Sequence, residues 1–352
     1  MKKFYAIFIT TSIILFLLWF TNESNSIEAV ESSAPLAASD RTQNTVVSVD
    51  ALKEPEPEPK SESKQQVAFN EDLAKAAEQV AMQYENALKF PPYSQPLSPL
   101  DEDRLKPNKF YPVSSPIGEK AGSLSVSLSQ YRFIYPQEIT LKVSAKGLDK
   151  VLVELTNTDT KEVLNTYKGS ARQGEAVITF EGKESYPRNL QLFVEANVAN
   201  KKVPVVAQIQ YMSPSATLTG FDNAYAQNEN MIMPANLTIL KDGLYRVRAN
   251  LYDGNIPIAH LVAKERLTKG NEKLNLKAHW SVLPPGISEM RLSDFVIEKM
   301  SPSPGELNGF GNSDIIQFHI TYFAYDSLQQ LPYQASAQEM LNLEFLQVLA
   351  QN

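Results

Sequence analysis

The sequence predicts an all-β fold, two consecutive antiparallel β-sandwiches at residues 119–213 and 214–328, preceded by a transmembrane helix, a disordered linker and a short helix. Three observations predict it. From about residue 120 the apolar side chains recur at every second position, as where Leu124, Val126 and Leu128 alternate with Ser123, Ser125, Ser127 and Ser129. Turn-forming clusters punctuate these runs, among them Lys146-Gly147, Asn157-Thr158-Asp159, Gly174, Pro187-Arg188-Asn189 and Ala199-Asn200. No helical period stands between the runs, which rules against βαβ units and a parallel sheet.

In the first sandwich, Ile139, Leu141, Val143 and Ala145 repeat the alternation, followed by Val151, Val153 and Leu155. Further strands are expected over 162–167, 175–180, 190–198 and 203–211. Ser213-Pro214 marks the boundary. In the second sandwich the strongest strand is 243–252, where Tyr245, Val247, Ala249 and Leu251 face one way, opposite Arg246, Arg248 and Asn250. Asp253-Gly254-Asn255 turns the chain and 256–266 returns it, a hairpin signal. Leu274, Leu276, Ala278 and Trp280 form another apolar face, as do Ile316, Phe318, Ile320 and Tyr322. The string GLYRVRANLYDGNIPIAHL, with Leu267-Thr268-Lys269-Gly270 after it, resembles the immunoglobulin-like modules that recur in tandem in exported bacterial proteins. That resemblance implies a binding or spacer module and carries no active-site residue across.

Ahead of the sandwiches, Lys2 and Lys3 precede an uncharged stretch from Phe4 to Phe20. It is long enough to span a bilayer at the lower limit and longer than the apolar core of a cleaved signal. Phe4, Ile7, Ile13, Leu17, Trp19 and Phe20 are the residues expected in the membrane. The two lysines keep the amino end cytoplasmic, so the bulk of the chain is exported. An uncleaved signal anchor in a bacterial inner membrane, with periplasmic domains, is the expectation; a cleaved signal peptide is the alternative. Residues 22–66 hold nine acids and four bases, a net of −5, and include Glu54-Pro55-Glu56-Pro57-Glu58-Pro59. Such a composition predicts a disordered tether, which fully extended would reach roughly 140 Å.

Residues 67–118 are read as a short helix and a proline-rich collar. Asn70 is the expected N-cap, and Leu73, Ala77, Val80, Tyr84 and Ala87 share one stripe, which is expected to dock on the following domain. Seven prolines lie between 91 and 116, interleaved with Tyr93, Phe110 and Tyr111, and predict an extended segment wrapped on the first β-domain. At the other end, residues 329–352 form a docking segment. Ser336 and Glu339 have capping-box spacing before Met340, Leu341, Leu343, Phe345, Leu346, Val348 and Leu349, and the second β-domain is the expected dock.

Composition restricts the chemistry. The 352 residues contain no Cys, which excludes disulfides, thiolate metal sites and Cys nucleophiles. A formal charge of −7 argues against nucleic-acid binding. No phosphate-binding loop, dinucleotide fingerprint, metalloprotease motif or EF-hand is present. Only His260, His279 and His319 are available as histidines. The last two alternate with polar neighbours and are expected to face solvent, so no metal, cofactor or catalytic residue is assigned. The resulting expectation is a non-enzymatic protein-interaction or scaffold component of the envelope, bound to envelope proteins and to the membrane through its amino-terminal helix. A small molecule is not the expected partner. The rival readings are a glycan or small-ligand module, and a hydrolase with an inter-domain site. Tyr93, Tyr131, Tyr135, Tyr225 and Tyr252 are the candidate interaction surface.

Overall fold

The computed structural model describes residues 64–118, 122–283, 289–321 and 323–351, with side chains from Asp72 onward. The expected membrane stretch (Phe4, Ile7, Ile13, Leu17, Trp19, Phe20) and the tether up to residue 63 lie outside the described residues. Among the described residues no helix is long and apolar enough to cross a membrane. Two compact units are present. One is a pair of terminal helices, α1 (Lys64–Ala87) and a helix over Ala337–Gln351; the other is residues 90–333, almost entirely β.

Helix α1 starts six residues before Asn70, so Asn70 is interior to it and the tether ends before Lys64. The physical reason is continuity: no Gly or Pro stands between Pro59 and Pro91, and Lys64-Gln65-Gln66 are good helix formers. Of the expected stripe, Ala77 and Val80 are buried and Tyr84 and Ala87 half-buried, while Leu73 is exposed. Val80 and Ala81, with Tyr84 packed alongside, are buried against Leu346 of the carboxy-terminal helix, and Ala77 is buried too. The alanines let the two axes approach closely. The capping box forms as expected: the Glu339 carboxylate accepts from Ser336 N at 2.7 Å and from Ser336 Oγ at 2.8 Å.

The β unit opens with a strap. Strand β1 (Ser94–Pro96) adds antiparallel to a strand at 256–267, with Ser94 opposite Leu261. The short helix α2 (Glu102–Leu105) follows, and Asn108 then accepts from Arg132 N at 2.7 Å and donates to Arg132 O at 2.8 Å. Phe110 enters the core of the first β-domain, and β2 (Val113–Pro116) joins its sheet. The proline-rich segment therefore does not wrap the first domain alone. It begins on the second, and its aromatics divide between them: Phe90 packs on one core and Phe110 inside the other.

Domain 1 contains β3 (Ser123–Leu128), β4 (Arg132–Ile134), β5 (Ile139–Ser144), β6 (Leu148–Asn157), β7 (Val163–Ser170), β8 (Glu175–Phe180), β9 (Asn189–Val198) and β10 (Lys201–Met212). They form two sheets, ordered β2-β3-β5-β8 and β4-β10-β9-β6-β7. Inward residues alternate strictly along β9 (Leu190, Leu192, Val194, Ala196, Val198) and share one core with Leu124, Val126, Ile139, Leu141, Val143 and Ile178 of the facing sheet. Each of the Leu, Ile and Val side chains among them, fully buried, contributes about 1.5–3 kcal/mol.

Domain 2 contains β11 (Ala216–Phe221), β12 (Tyr225–Gln227), β13 (Asn230–Ile239), β14 (Gly243–Asp253), β15 (Ile256–Leu267), β16 (Gly270–His279), β17 (Met290–Lys299), β18 (Gly309–Ser313) and β19 (Gln317–Ile320). The pairing runs β1-β15-β14-β17-β18-β11-β13-β12, with β16 on β13 and β19 on β17. Its connectivity repeats that of domain 1. The opening strand pairs antiparallel with the second and runs parallel to a late one: β3 with β5 and β4 with β10 in domain 1, β11 with both β13 and β18 in domain 2. The hairpin β14–β15, like β6–β7, ends the longer ladder of each sandwich before the strap is added.

Pro234 sits inside β13, where a missing N–H would ordinarily break a ladder. It falls in a gap: β11 ends with Phe221 opposite Ala235, and β12 begins opposite Ile232. No ladder bond is lost. Gly311 of β18 is a second position with no latitude. A Cβ there would lie 2.4 Å from Ala216 O and 2.9 Å from Ile297 Cγ2. Gly311→Ala is therefore expected to push β18 off β11 and lower stability by about 1–3 kcal/mol, read as a shifted urea midpoint. Gly220→Ala, where nothing lies within 4 Å of the new atom, is the control and should stay near wild type.

Candidate functional site

The candidate site is a cleft of about 430 Å³ where the strap, domain 1 and domain 2 meet. Lys106, Asn108 and Lys109 come from the strap, Gln130 and Arg132 from domain 1, and Asp294, Val296 and Phe310 from domain 2. Its shape follows from a bulge in β17. Asp294 and Phe295 together oppose Ala249 of β14, where the register shifts, and Asp294 takes a φ of 56°. Before the bulge β17 pairs with β19, and after it with β18. The partner strand is split there, and the split leaves the hollow.

The bulge also aims the Asp294 carboxylate at the outer face of β14. It accepts from Asn250 Nδ2 at 2.9 Å and from the Tyr252 hydroxyl. Burial, together with that pairing, pushes the pKa of the Tyr252 hydroxyl up to about 12. Asn250 Nδ2 also donates to the Arg104 carbonyl at 2.8 Å, which fixes the strap to β14. Asn250 Oδ1 lies 2.7 Å from His260 Nδ1, so the imidazole must supply the proton in that bond. Burial, reinforced by Arg104 and Arg248, brings His260 down to about 4. It is neutral at pH 7.

Four residues further along β17, Glu298 is buried amid guanidinium groups. Arg246 donates to its Oε2 from Nε at 2.9 Å and from Nη2 at 2.6 Å, and Asn308 Nδ2 donates to Oε1 at 2.6 Å. Arg248 Nη2 stands 3.6 Å from Oε2. Arg188 reaches across from domain 1 to donate to Asn308 O at 2.7 Å. Arg132 stacks 4.4 Å from the Phe310 ring centre and donates to Pro107 O at 3.0 Å. Burial lowers the guanidinium pKa values of Arg132, Arg188 and Arg248. Asn312 Nδ2 adds a bond to Tyr135 O at 3.1 Å, again between the domains.

The five tyrosines do not form one surface. Tyr131 and Tyr225 are exposed, but on different domains. Tyr93 is half-buried and donates to Asn230 Oδ1 at 2.9 Å, and Tyr135 is half-buried at the junction. Tyr252 is buried, because the strap covers the face of β14 that alternation alone leaves to solvent. His279 also departs from expectation. It is buried beside the strap, where Ser94 Oγ accepts from its backbone N–H, and its ring bonds to Ser281. His319 is exposed, as its alternation implies. The histidines lie on β15, β16 and β19, and among the described residues no group of His, Asp and Glu is placed to hold a metal ion. Asp294, Glu298, Arg132 and Arg188 were not singled out by sequence. The available signal was the pair Arg246 and Arg248, set on one face of the strongest alternating strand.

Two outcomes test this network. Glu298→Gln leaves Arg246 and Arg248 without a counter-charge and should cost about 3–5 kcal/mol in chemical denaturation. His260 carries a folded pKa of about 4 against an ordinary 6.5, so the unfolded chain takes up the proton first as pH falls. Its stabilising effect is whole above pH 6.5, drains away toward pH 4 and is flat below. In thermal melts His260→Gln should flatten this part of the pH profile, and an unchanged slope would refute the assignment.

No protein-family model matches the chain, and no curated protein matches it in sequence. Among solved structures it is similar to a DUF4785 family protein from Legionella pneumophila, at 13% identity and a TM-score of 0.37, over 50% of this chain and 52% of that one. It is also similar to Salmonella alpha-2-macroglobulin, at 15% identity and a TM-score of 0.23, over 59% of this chain and 17% of that one. A third likeness is to the BSP domain of a biofilm associated protein, at 10% identity and a TM-score of 0.21, over 56% of this chain and 29% of that one. The chain thus spans about half the length of the first of these and less of the others. These are weak, fold-level likenesses to bacterial proteins.

Proposed function

We propose that the chain is a non-enzymatic interaction or scaffold protein of the bacterial envelope. It is held at the inner membrane by Phe4–Phe20 and displays two immunoglobulin-like sandwiches on the periplasmic side. The observation that carries this reading is how the ionisable groups of the junction are used. Asp294 is bound by Tyr252 and Asn250, Glu298 by Arg246 and Asn308, and His260 is kept neutral against Asn250. Each of these groups serves packing and orientation of the two modules. The shared connectivity of the domains supports the immunoglobulin-like assignment.

Recognition falls to sheet edges. Strands β7 and β8 end their sheets in domain 1, and Val163 and Val177 on them are exposed. An extended partner segment can pair with such an edge through main-chain hydrogen bonds. Two measurements test the proposal. A reporter enzyme active only outside the cytoplasm, fused after Asn352 of the full chain, should be active; silence would remove the envelope assignment. A photo-crosslinking residue at Val163 or Val177, in cells, should give one discrete adduct that a crosslinker at Lys161 in the adjoining turn does not. A uniform smear from all three positions would remove the edge as the interaction surface.

A further inference from the structure

The carboxy-terminal helix (Ala337–Gln351) has two apolar sides, and α1 fills one of them. Leu343 and Leu346 are buried, Leu346 in the small core it shares with Val80 and Ala81 of α1. At about 100° per residue, Leu341, Phe345 and Val348 fall within about 60° of one another on the opposite side of the helix. Each of these three is more than half exposed. A helix that is apolar on opposite sides is ordinarily enclosed on both. Enclosure by α1 alone is also thin. Among the residues whose side chains are described, Val80, Leu343 and Leu346 are the only large apolar side chains that the two helices bury, for helices of 24 and 15 residues. So small a core does little to offset the entropy of ordering both.

The make-up of the exposed stripe restricts what can cover it. The helix contains no Lys or Arg, so it lacks the cations that seat an amphipathic helix on an anionic membrane. Its two acids are Glu339, engaged in the capping box, and Glu344. The neighbours Gln338, Asn342 and Gln347 are neutral, which leaves a charge-steered partner almost nothing to read. The 4-3 spacing of Leu341, Phe345 and Val348 is that of a helix–helix seam, in which each side chain seats between side chains of a facing helix. An apolar seam is complementary to itself, and a two-fold axis brings it against its own copy. We propose that this face is a homodimer interface whose occupant is the same helix of a second copy of the chain. The pairing continues the seam already made at Leu346, so that α1 and the carboxy-terminal helix of both copies form a four-helix bundle. Two heptads alone make a weak coiled coil, but this helix is already formed on α1, and pairing it costs correspondingly less ordering. Phe345, in the middle of the stripe, is the anchor. The pairing asks nothing of the sheet edges proposed above as a recognition surface.

The test uses the full chain in detergent micelles. Sedimentation equilibrium should give twice the mass of one chain. Phe345→Glu sets a charge on each side of the axis and should weaken the dimer about thirtyfold or more, as the loss of a central aromatic anchor does. The helical circular dichroism should stay unchanged, because Phe345 is exposed in the single chain. The chain has no Cys, so introduced cysteines report without background. Phe345→Cys should be trapped as a disulfide-linked dimer under mild oxidation, by itself if the copies run parallel, or mixed with Leu341→Cys or Val348→Cys if they run antiparallel. Gln347→Cys, exposed on the same helix but off the stripe, should not be trapped in any of these combinations. A dimer that Phe345→Glu leaves intact is held elsewhere in the chain and overturns the interface. A monomer overturns it too: a Phe345→Cys thiol shielded from maleimide would then assign the face to another part of the same chain, and an open thiol would assign it to a different protein.

Discussion

A non-glycine residue held in the left-handed region costs about 1–3 kcal/mol, and Asp294 is held there by bonds that reach well beyond it. Its carboxylate is fastened to Tyr252 and Asn250 of the neighbouring strand, and Asn250 in turn holds the strap at Arg104 and the imidazole of His260. With the bulge, β17 can pair with β19 on one stretch and β18 on the next, and β18 is then able to run beside β11 and close the sandwich. Were β17 regular, Asp294 would have no reason to face Asn250, and the attachment of the strap at Arg104 would lose its support. The hollow of the cleft and the attachment of the strap at Arg104 therefore both trace to one inserted residue.

The charges at the junction follow a different logic. Buried ion pairs add little net stability against apolar packing, but removing one member is costly. Glu298 accordingly acts less as a source of stability than as a determinant of alignment. Asn308 can satisfy it only if the loop before β18 is correctly placed, and Arg188 can reach Asn308 only if domain 1 is correctly rotated. Alignment of the modules is thus encoded in hydrogen-bond geometry that an apolar seam would leave unspecified.

Much of the fold is written in the alternation of side chains. Strand β8 lies where Ala176, Ile178 and Phe180 place it, and the hairpin β14–β15 where Asp253-Gly254-Asn255 places it. Strands failed to announce themselves where a residue works against its local pattern. Pro234 disguises β13, and the extra residue at Asp294 breaks the period of β17 halfway along. The site was less legible still. Whether Arg246, Arg248, Asn250 and Tyr252 meet water or protein depends on which domain the strap lies across, and proline content fixes only that the strap is extended. The burial of His279 has the same origin, since the residue covering it, Ser94, is 185 positions away. The partner of the carboxy-terminal helix is likewise at the opposite end of the chain, beyond the reach of any local pattern.

That separation has a temporal consequence. A ribosome releases Ser94 long before Leu261, its partner across the sheet, and domain 1 lies between them. Domain 1 can collapse as it emerges, whereas β1 must wait unpaired until the hairpin that receives it has been made. The helix at 64–87 waits longer still, for a companion that ends at Gln351. Assembly accordingly proceeds from the middle outward, and the earliest-born part of the described chain is the last to find its place.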